Sequence, residues 1–127
     1  MDKIENQISY DVRGAIFKVY NSLGPGLFES VYETALSYEI EKLGYVIKRQ
    51  VALPFVYEEI KFEQGFRIDI LVEDKVIIEL KSVEALSDVH YKQVLTYLKL
   101  SDKKLGILVN FNSDNISNNI KRIVNNL

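Results

Sequence analysis

Two apolar runs with the alternation of β-strands, "GFRIDILV" and "VIIELKS", flank the polar triplet Glu73, Asp74, Lys75. A chain containing such a pair is committed to a hairpin, and the alternation dictates which side chains meet. In the first strand Ile68, Ile70 and Val72 share one face, with Arg67, Asp69 and Leu71 on the other. In the second, Val76, Ile78 and Leu80 share a face, with Ile77, Glu79 and Lys81 opposite. Closing over the triplet pairs Val72 with Val76, Ile70 with Ile78 and Ile68 with Leu80. The same register sets Leu71 against Ile77, Asp69 against Glu79 and Arg67 against Lys81. One face is wholly apolar. The other holds two carboxylates side by side with two cations beyond them. A loop of this length favours glycine at its left-handed position, and Lys75 is a poor substitute there.

Like charges directly opposite on a sheet are destabilising, and burial raises the cost. Arg67 and Lys81 can relieve it as a structural ion-pair network. A divalent cation between Asp69 and Glu79 can relieve it equally well, since hard oxygen ligands suit Mg2+ or Mn2+. On the residues alone both readings stand. The second supplies a reaction: a cation beside a lysine activates water and stabilises charge on a phosphate oxygen, which is phosphodiester hydrolysis. Lys81 would then orient the water or hold the phosphate as a point charge.

Composition narrows the alternatives. The chain has no cysteine, hence no disulfide, thiolate site or cysteine nucleophile, and the lone His90 excludes a multi-histidine metal centre built from one chain. At 127 residues, 47% hydrophobic and 27% charged, it reads as one globular domain over residues 1–127, too short for separate catalytic and recognition domains. The polar start "MDKIENQISYDV" is no secretory signal, and no run approaches the roughly 18 apolar residues of a membrane span, so the expected location is the cytoplasm. A net charge of −2 argues against a broad basic surface. The local clusters Lys48 with Arg49, Lys99 with Lys103 and Lys104, and Lys121 with Arg122 each read as solvated surface charge.

Periodicity predicts a first helix carrying Ile4, Ile8, Val12, Ala15, Ile16, Val19 and Leu23, stopped by "GPG" at Gly24 to Gly26. A second helix carries Leu27, Val31, Ala35, Leu36, Ile40 and Leu43 and ends at Gly44. "YVIKRQVALPFVYEEIKFEQ" is strand-like, with Pro54 marking an edge strand or bulge. After the hairpin, Ser87 and Asp88 start a third helix anchored by Val89, Val94, Leu95 and Leu98. "KLGILVNF" reads as a buried strand, and "ISNNIKRIVNNL" as a short amphipathic helix. The expected fold is α/β (α+β): a mixed sheet with an antiparallel meander, one parallel crossover and flanking helices.

Asp69 followed by "ELK" at Glu79 to Lys81 resembles the D…(D/E)-x-K signature of the PD-(D/E)XK nuclease superfamily. "FRIDI" and "QVLTY" are similar to its RecB-type branch, and Gly26, Glu29 and Tyr32 match the pattern that names the GxxExxY proteins, a prokaryotic group within it. "LGPGLFESVYETAL", "RIDILVEDKVIIELKSVEAL", "HYKQVLTYLKL" and "LGILVNF" follow in that group's order, so the likeness covers nearly the whole chain. The resemblance implies a restriction-endonuclease-like sheet and a Mg2+ (or Mn2+) site formed by Asp69, Glu79, the backbone carbonyl of Leu80 and the helix-borne Glu29. It implies that Lys81 is the catalytic lysine. Gln93 and Tyr97, one helical turn apart, would support the site or contact substrate. Arg67 would fix the carboxylates or a phosphate, and Tyr32 belongs to the motif that carries Glu29.

Each of these residues also has an ordinary structural role. Glu29 suits a helix N-terminus on electrostatic grounds alone, and residues such as Tyr32 and Tyr97 are more often core or rim aromatics than ligands. His90 shares a helix face with Gln93 and Tyr97 and stays outside the catalytic set. The leading expectation is a metal-dependent nuclease acting on nucleic acid, DNA first. The alternatives are a junction-resolving homodimer resembling Holliday-junction resolvases, and a non-catalytic module of the same fold that binds a protein partner.

Overall fold

The computed structural model describes residues 3–127, without the side chains at positions 3, 55, 57 and 61–65; Met1 and Asp2 of the polar opening stretch lie outside it. Helix α1 spans Lys3–Leu23 and α2 spans Glu29–Lys42. Strands β1 (Ile47–Tyr57), β2 (Ile60–Val72) and β3 (Val76–Lys81) follow, then α3 (Asp88–Ser101), β4 (Leu105–Asn110), a 3-10 turn over Ile116–Asn119, and β5 (Ile120–Val124). The five strands form one sheet in chain order. Every neighbouring pair is antiparallel except β3 and β4, which α3 connects in parallel. This is an α+β, restriction-endonuclease-like arrangement.

Helices α1 and α2 cover one face of the sheet. Ile8, Val12, Ile16 and Val19 recur at helical spacing and pack with Tyr32, Leu36 and Ile40 of α2 against Ile70, Val72, Ile78 and Leu80. Helix α3 covers the other face with Val94, Tyr97 and Leu98, against Leu53, Ile68, Leu71, Ile77 and Leu108. Each fully buried aliphatic side chain contributes about 1.5–3 kcal/mol to this packing. The buried stripe of α2 differs from the expected one. Val31 and Leu43 are exposed, and Tyr32 takes the inward position because its ring stacks on Phe111, with centroids 4.3 Å apart. Val89 of α3 is likewise exposed.

Pro54 lies in an edge strand, and the β1–β2 register shifts between Leu53 and Phe55, as a residue lacking a backbone N–H requires. In the β2–β3 turn the left-handed residues are Glu73 and Asp74, at φ 54° and 56°, and not Lys75. The turn closes by Lys75 N–H to the Val72 carbonyl at 2.9 Å, and Glu73 accepts the Val46 N–H through its carboxylate.

The C-terminal segment is a strand and not the expected helix. Ile116, Ile120, Ile123 and Leu127 fit a helical period, but β4 is buried along its whole length and its outer backbone groups need a partner. A β-branched strand supplies one, placing Ile120 on the α1–α2 side and Ile123 on the α3 side.

Helix α3 rests directly on β4 at Gly106, where a Cβ would meet Val94 Cγ1 at 2.7 Å. The β-branched Val94 has little rotamer freedom with which to yield. Gly106→Ala should therefore destabilise the fold by about 1–3 kcal/mol through overpacking. Urea denaturation checks this, and an unchanged midpoint would show that α3 can lift at no cost.

Candidate active site

The β2–β3 ladder stops early. Val72 pairs with Val76, Leu71 with Ile77 and Ile70 with Ile78, after which the strands part: β2 continues with β1, and β3 with β4. The expected pairs of Asp69 with Glu79, Ile68 with Leu80 and Arg67 with Lys81 do not form as ladder pairs. Ile68 packs on the α3 side with Leu71 and not beside Ile70. Into this fork project Asp69 and Glu79. Asp69 N–H donates to Glu79 Oε1 at 3.1 Å, and Leu80 N–H donates to Asp69 Oδ2 at 2.9 Å. The acids replace the ladder bonds that would otherwise be lost, which is why carboxylates are tolerated in an apolar hairpin.

Neither cation neutralises them directly. Among the described residues no ion pair joins Arg67 or Lys81 to either acid. Lys81 Nζ donates to Gln93 Oε1 at 3.4 Å, and Arg67 Nη1 donates to the Gln50 carbonyl at 3.2 Å. Glu79 is 3% exposed. Burial first, and the Asp69 charge second, push its carboxyl up to about 8, while burial also raises Asp69. The Asp69 charge acts on the buried Glu79 carboxyl, and a proton on Glu79 or a cation between the two relieves it. Hard oxygen donors, desolvation and the lack of an ion pair among the described residues together fit a divalent cation; the second oxygen of Asp69, Oδ1, also accepts Gln50 Nε2 at 3.3 Å and keeps a further lone pair. Among the described residues no third carboxylate or imidazole joins them closely enough to make a set of three.

Glu29 opens α2 and is exposed. Its Oε1 accepts the Ser82 N–H at 3.3 Å, so it reaches the end of β3 next to Lys81. Tyr32 is fully buried. Its hydroxyl donates to the Gly24 carbonyl at 2.6 Å and accepts the Leu27 N–H at 3.1 Å, spanning the Gly-Pro-Gly turn that delivers Glu29. Gly24 needs its φ of 69° there, and its N–H closes α1 on the Tyr20 carbonyl. Tyr97 is 4% exposed, packs edge-on against Phe66, and places its hydroxyl by the Arg67 backbone and Gln93. Burial first and Glu79 second raise its pKa. His90 Nδ1 accepts the Ser87 N–H at 3.0 Å, which makes it part of the α3 cap.

Three neighbours escape the sequence reading. Asn110, 1% exposed at the end of β4, accepts the Val83 N–H at 3.0 Å and donates to its carbonyl at 2.9 Å, fixing the chain just beyond Lys81. Glu33 lies one helical turn after Glu29, and its place between Tyr32 and Leu36 was the available signal. Gln50 had none. A family model described as the PD-(D/E)XK nuclease superfamily matches residues 6–123. No curated protein and no solved structure matches the chain.

Proposed function

The chain belongs to the PD-(D/E)XK nuclease superfamily, and we propose that it is a metal-dependent nuclease of the GxxExxY group that hydrolyses phosphodiester bonds in DNA. One observation carries this reading: a buried Asp69–Glu79 pair crossed by backbone bonds, with which no cation among the described residues forms an ion pair, and a lysine beside it. Asp69 and Glu79 would hold Mg2+ or Mn2+ together with the Leu80 carbonyl, and Glu29 would join them only by leaving its bond to the Ser82 N–H. When bound, the cation supplies Lewis-acid stabilisation of phosphate charge and an acidified water. Lys81 presents a positive charge to the phosphate or the attacking water, and Gln93 Oε1 accepts a hydrogen bond from it and so limits where the ammonium can point. Arg67 is exposed at the mouth of the fork, where its guanidinium can face a phosphate while holding the Gln50 carbonyl.

Incubation with linear, nicked, single-stranded and branched DNA, and with RNA, in Mg2+ or Mn2+ tests the activity. Cleavage of DNA that EDTA abolishes is expected; no cleavage of any substrate with either ion would refute the reading. Binding is separable from cutting. Millimolar Mg2+ should raise the melting temperature by mass action, and Asp69→Asn, which keeps an acceptor for Leu80 N–H, should abolish that shift. A shift of wild-type size in the variant would remove Asp69 from the metal site.

A further inference from the structure

Strand β1 departs from extended geometry at one interior residue. Gln50 has φ 51°, in the left-handed region that a side chain other than glycine occupies only at a cost. It lies opposite Asp69, between the Arg49–Ile70 and Val51–Ile68 pairs. Its carbonyl is held by Arg67 Nη1 at 3.2 Å. Its carboxamide Nε2 donates both to Glu33 Oε1 at 2.5 Å and to Asp69 Oδ1 at 3.3 Å. Glu33 is 7% exposed, and its second oxygen accepts Arg49 Nε at 2.9 Å. The strained residue therefore connects an immobilised acid of α2 to the acid of the fork. Backbone strain persists where the surroundings over-determine it, and here bonds to Arg67, Glu33 and Asp69 hold Gln50.

We propose that Gln50 is a positioning residue for the metal-binding carboxylate Asp69, with Glu33 as its anchor. The proposal rests on the metal reading above. Leu80 N–H fixes Oδ2 of Asp69, and the Gln50 carboxamide fixes Oδ1, so the two bonds together set the plane of the carboxylate. Glu33, with both oxygens engaged, keeps the carboxamide nitrogen aimed at Asp69 and its oxygen away. An unanchored carboxamide could rotate its oxygen toward Asp69, where two acceptors would repel. Outer partners of this kind typically account for a 10–100-fold difference in metal affinity.

Gln50→Gly separates positioning from folding, because glycine accepts φ 51° without strain. The metal-free melting temperature of the variant should equal or exceed that of wild type. Its Mn2+ affinity by calorimetry should fall by about 10–100-fold. Glu33→Gln, which keeps the shape and weakens the anchor, should lower the affinity in the same direction. A Gln50→Gly protein that binds Mn2+ as tightly as wild type overturns the proposal and leaves the metal reading intact. So does one whose metal-free stability collapses while its affinity holds, since the bridge is then merely structural. Wild-type protein that binds no Mn2+ at millimolar concentration overturns the metal reading, and the proposal with it.

Discussion

Lys81→Ala should slow DNA cleavage by about 100-fold or more, the scale of removing one preorganised electrostatic group. Among the described residues the ammonium of Lys81 makes one hydrogen bond, of 3.4 Å to Gln93, and forms an ion pair with no acid. Its removal should therefore cost the fold only about 1 kcal/mol, the value of an ordinary hydrogen bond. Metal affinity should hold or rise, because a positive charge near the cation site has gone. Single-turnover cleavage, together with melting curves in EDTA and in Mg2+, distinguishes these effects. If Lys81 served mainly to neutralise the acids, the variant would cut normally and melt far lower in EDTA. That result would take Lys81 out of the catalytic set.

The metal-free protein should lose stability as pH rises from about 4.5 to about 8, the interval between the ordinary carboxyl value of Glu79 and its raised one. Between these values the folded state retains a proton that the unfolded chain releases. Deprotonating the solution then favours unfolding, with a slope of up to about 1.4 kcal/mol per pH unit for one proton. Below the window both states are protonated at Glu79, and above it both are ionised, so the dependence levels off. Asp69 is raised in the same direction and adds to the slope at its acidic end. Mg2+ requires the ionised acids, so its stabilising effect should be larger at pH 8 than at pH 6. Glu79→Gln should flatten the metal-free dependence. Urea unfolding in EDTA across pH 5–9 is the measurement, and stability that is flat or rising over that range would contradict the assignment.

Asp69 and Glu79 were legible because charges inside apolar alternation are conspicuous, and a three-residue closure leaves one register for them. The fork was not, since alternation assumes that a ladder runs to the end of both strands. Ile68 accordingly lies on the opposite side from the expected one. Val31 and Leu43 fit a helical stripe as well as Tyr32 does, and only the stacking on Phe111 across the core decides between them. Ile116 to Leu127 carries a helical period, but the buried edge of β4 overrides it, and that edge exists only once the sheet is assembled. Gln50 is beyond any local pattern: glutamine has no preference for left-handed backbone, and its conformation follows from Arg67, Glu33 and Asp69, which lie 17 to 19 positions away in the chain. The Ser87 start of α3 and the Gly44 stop of α2, by contrast, are local chemistry and fall where the residues put them.

The crossed bonds in the fork bear on how this site can decay over generations. Asp69 and Glu79 each accept a backbone N–H, so a lineage that lost the proposed activity would still be selected to keep an acceptor at both positions. Drift there should run to asparagine and glutamine before it reaches alanine. Lys81 carries no such structural debt, and position 81 is accordingly where a silenced descendant should diverge first.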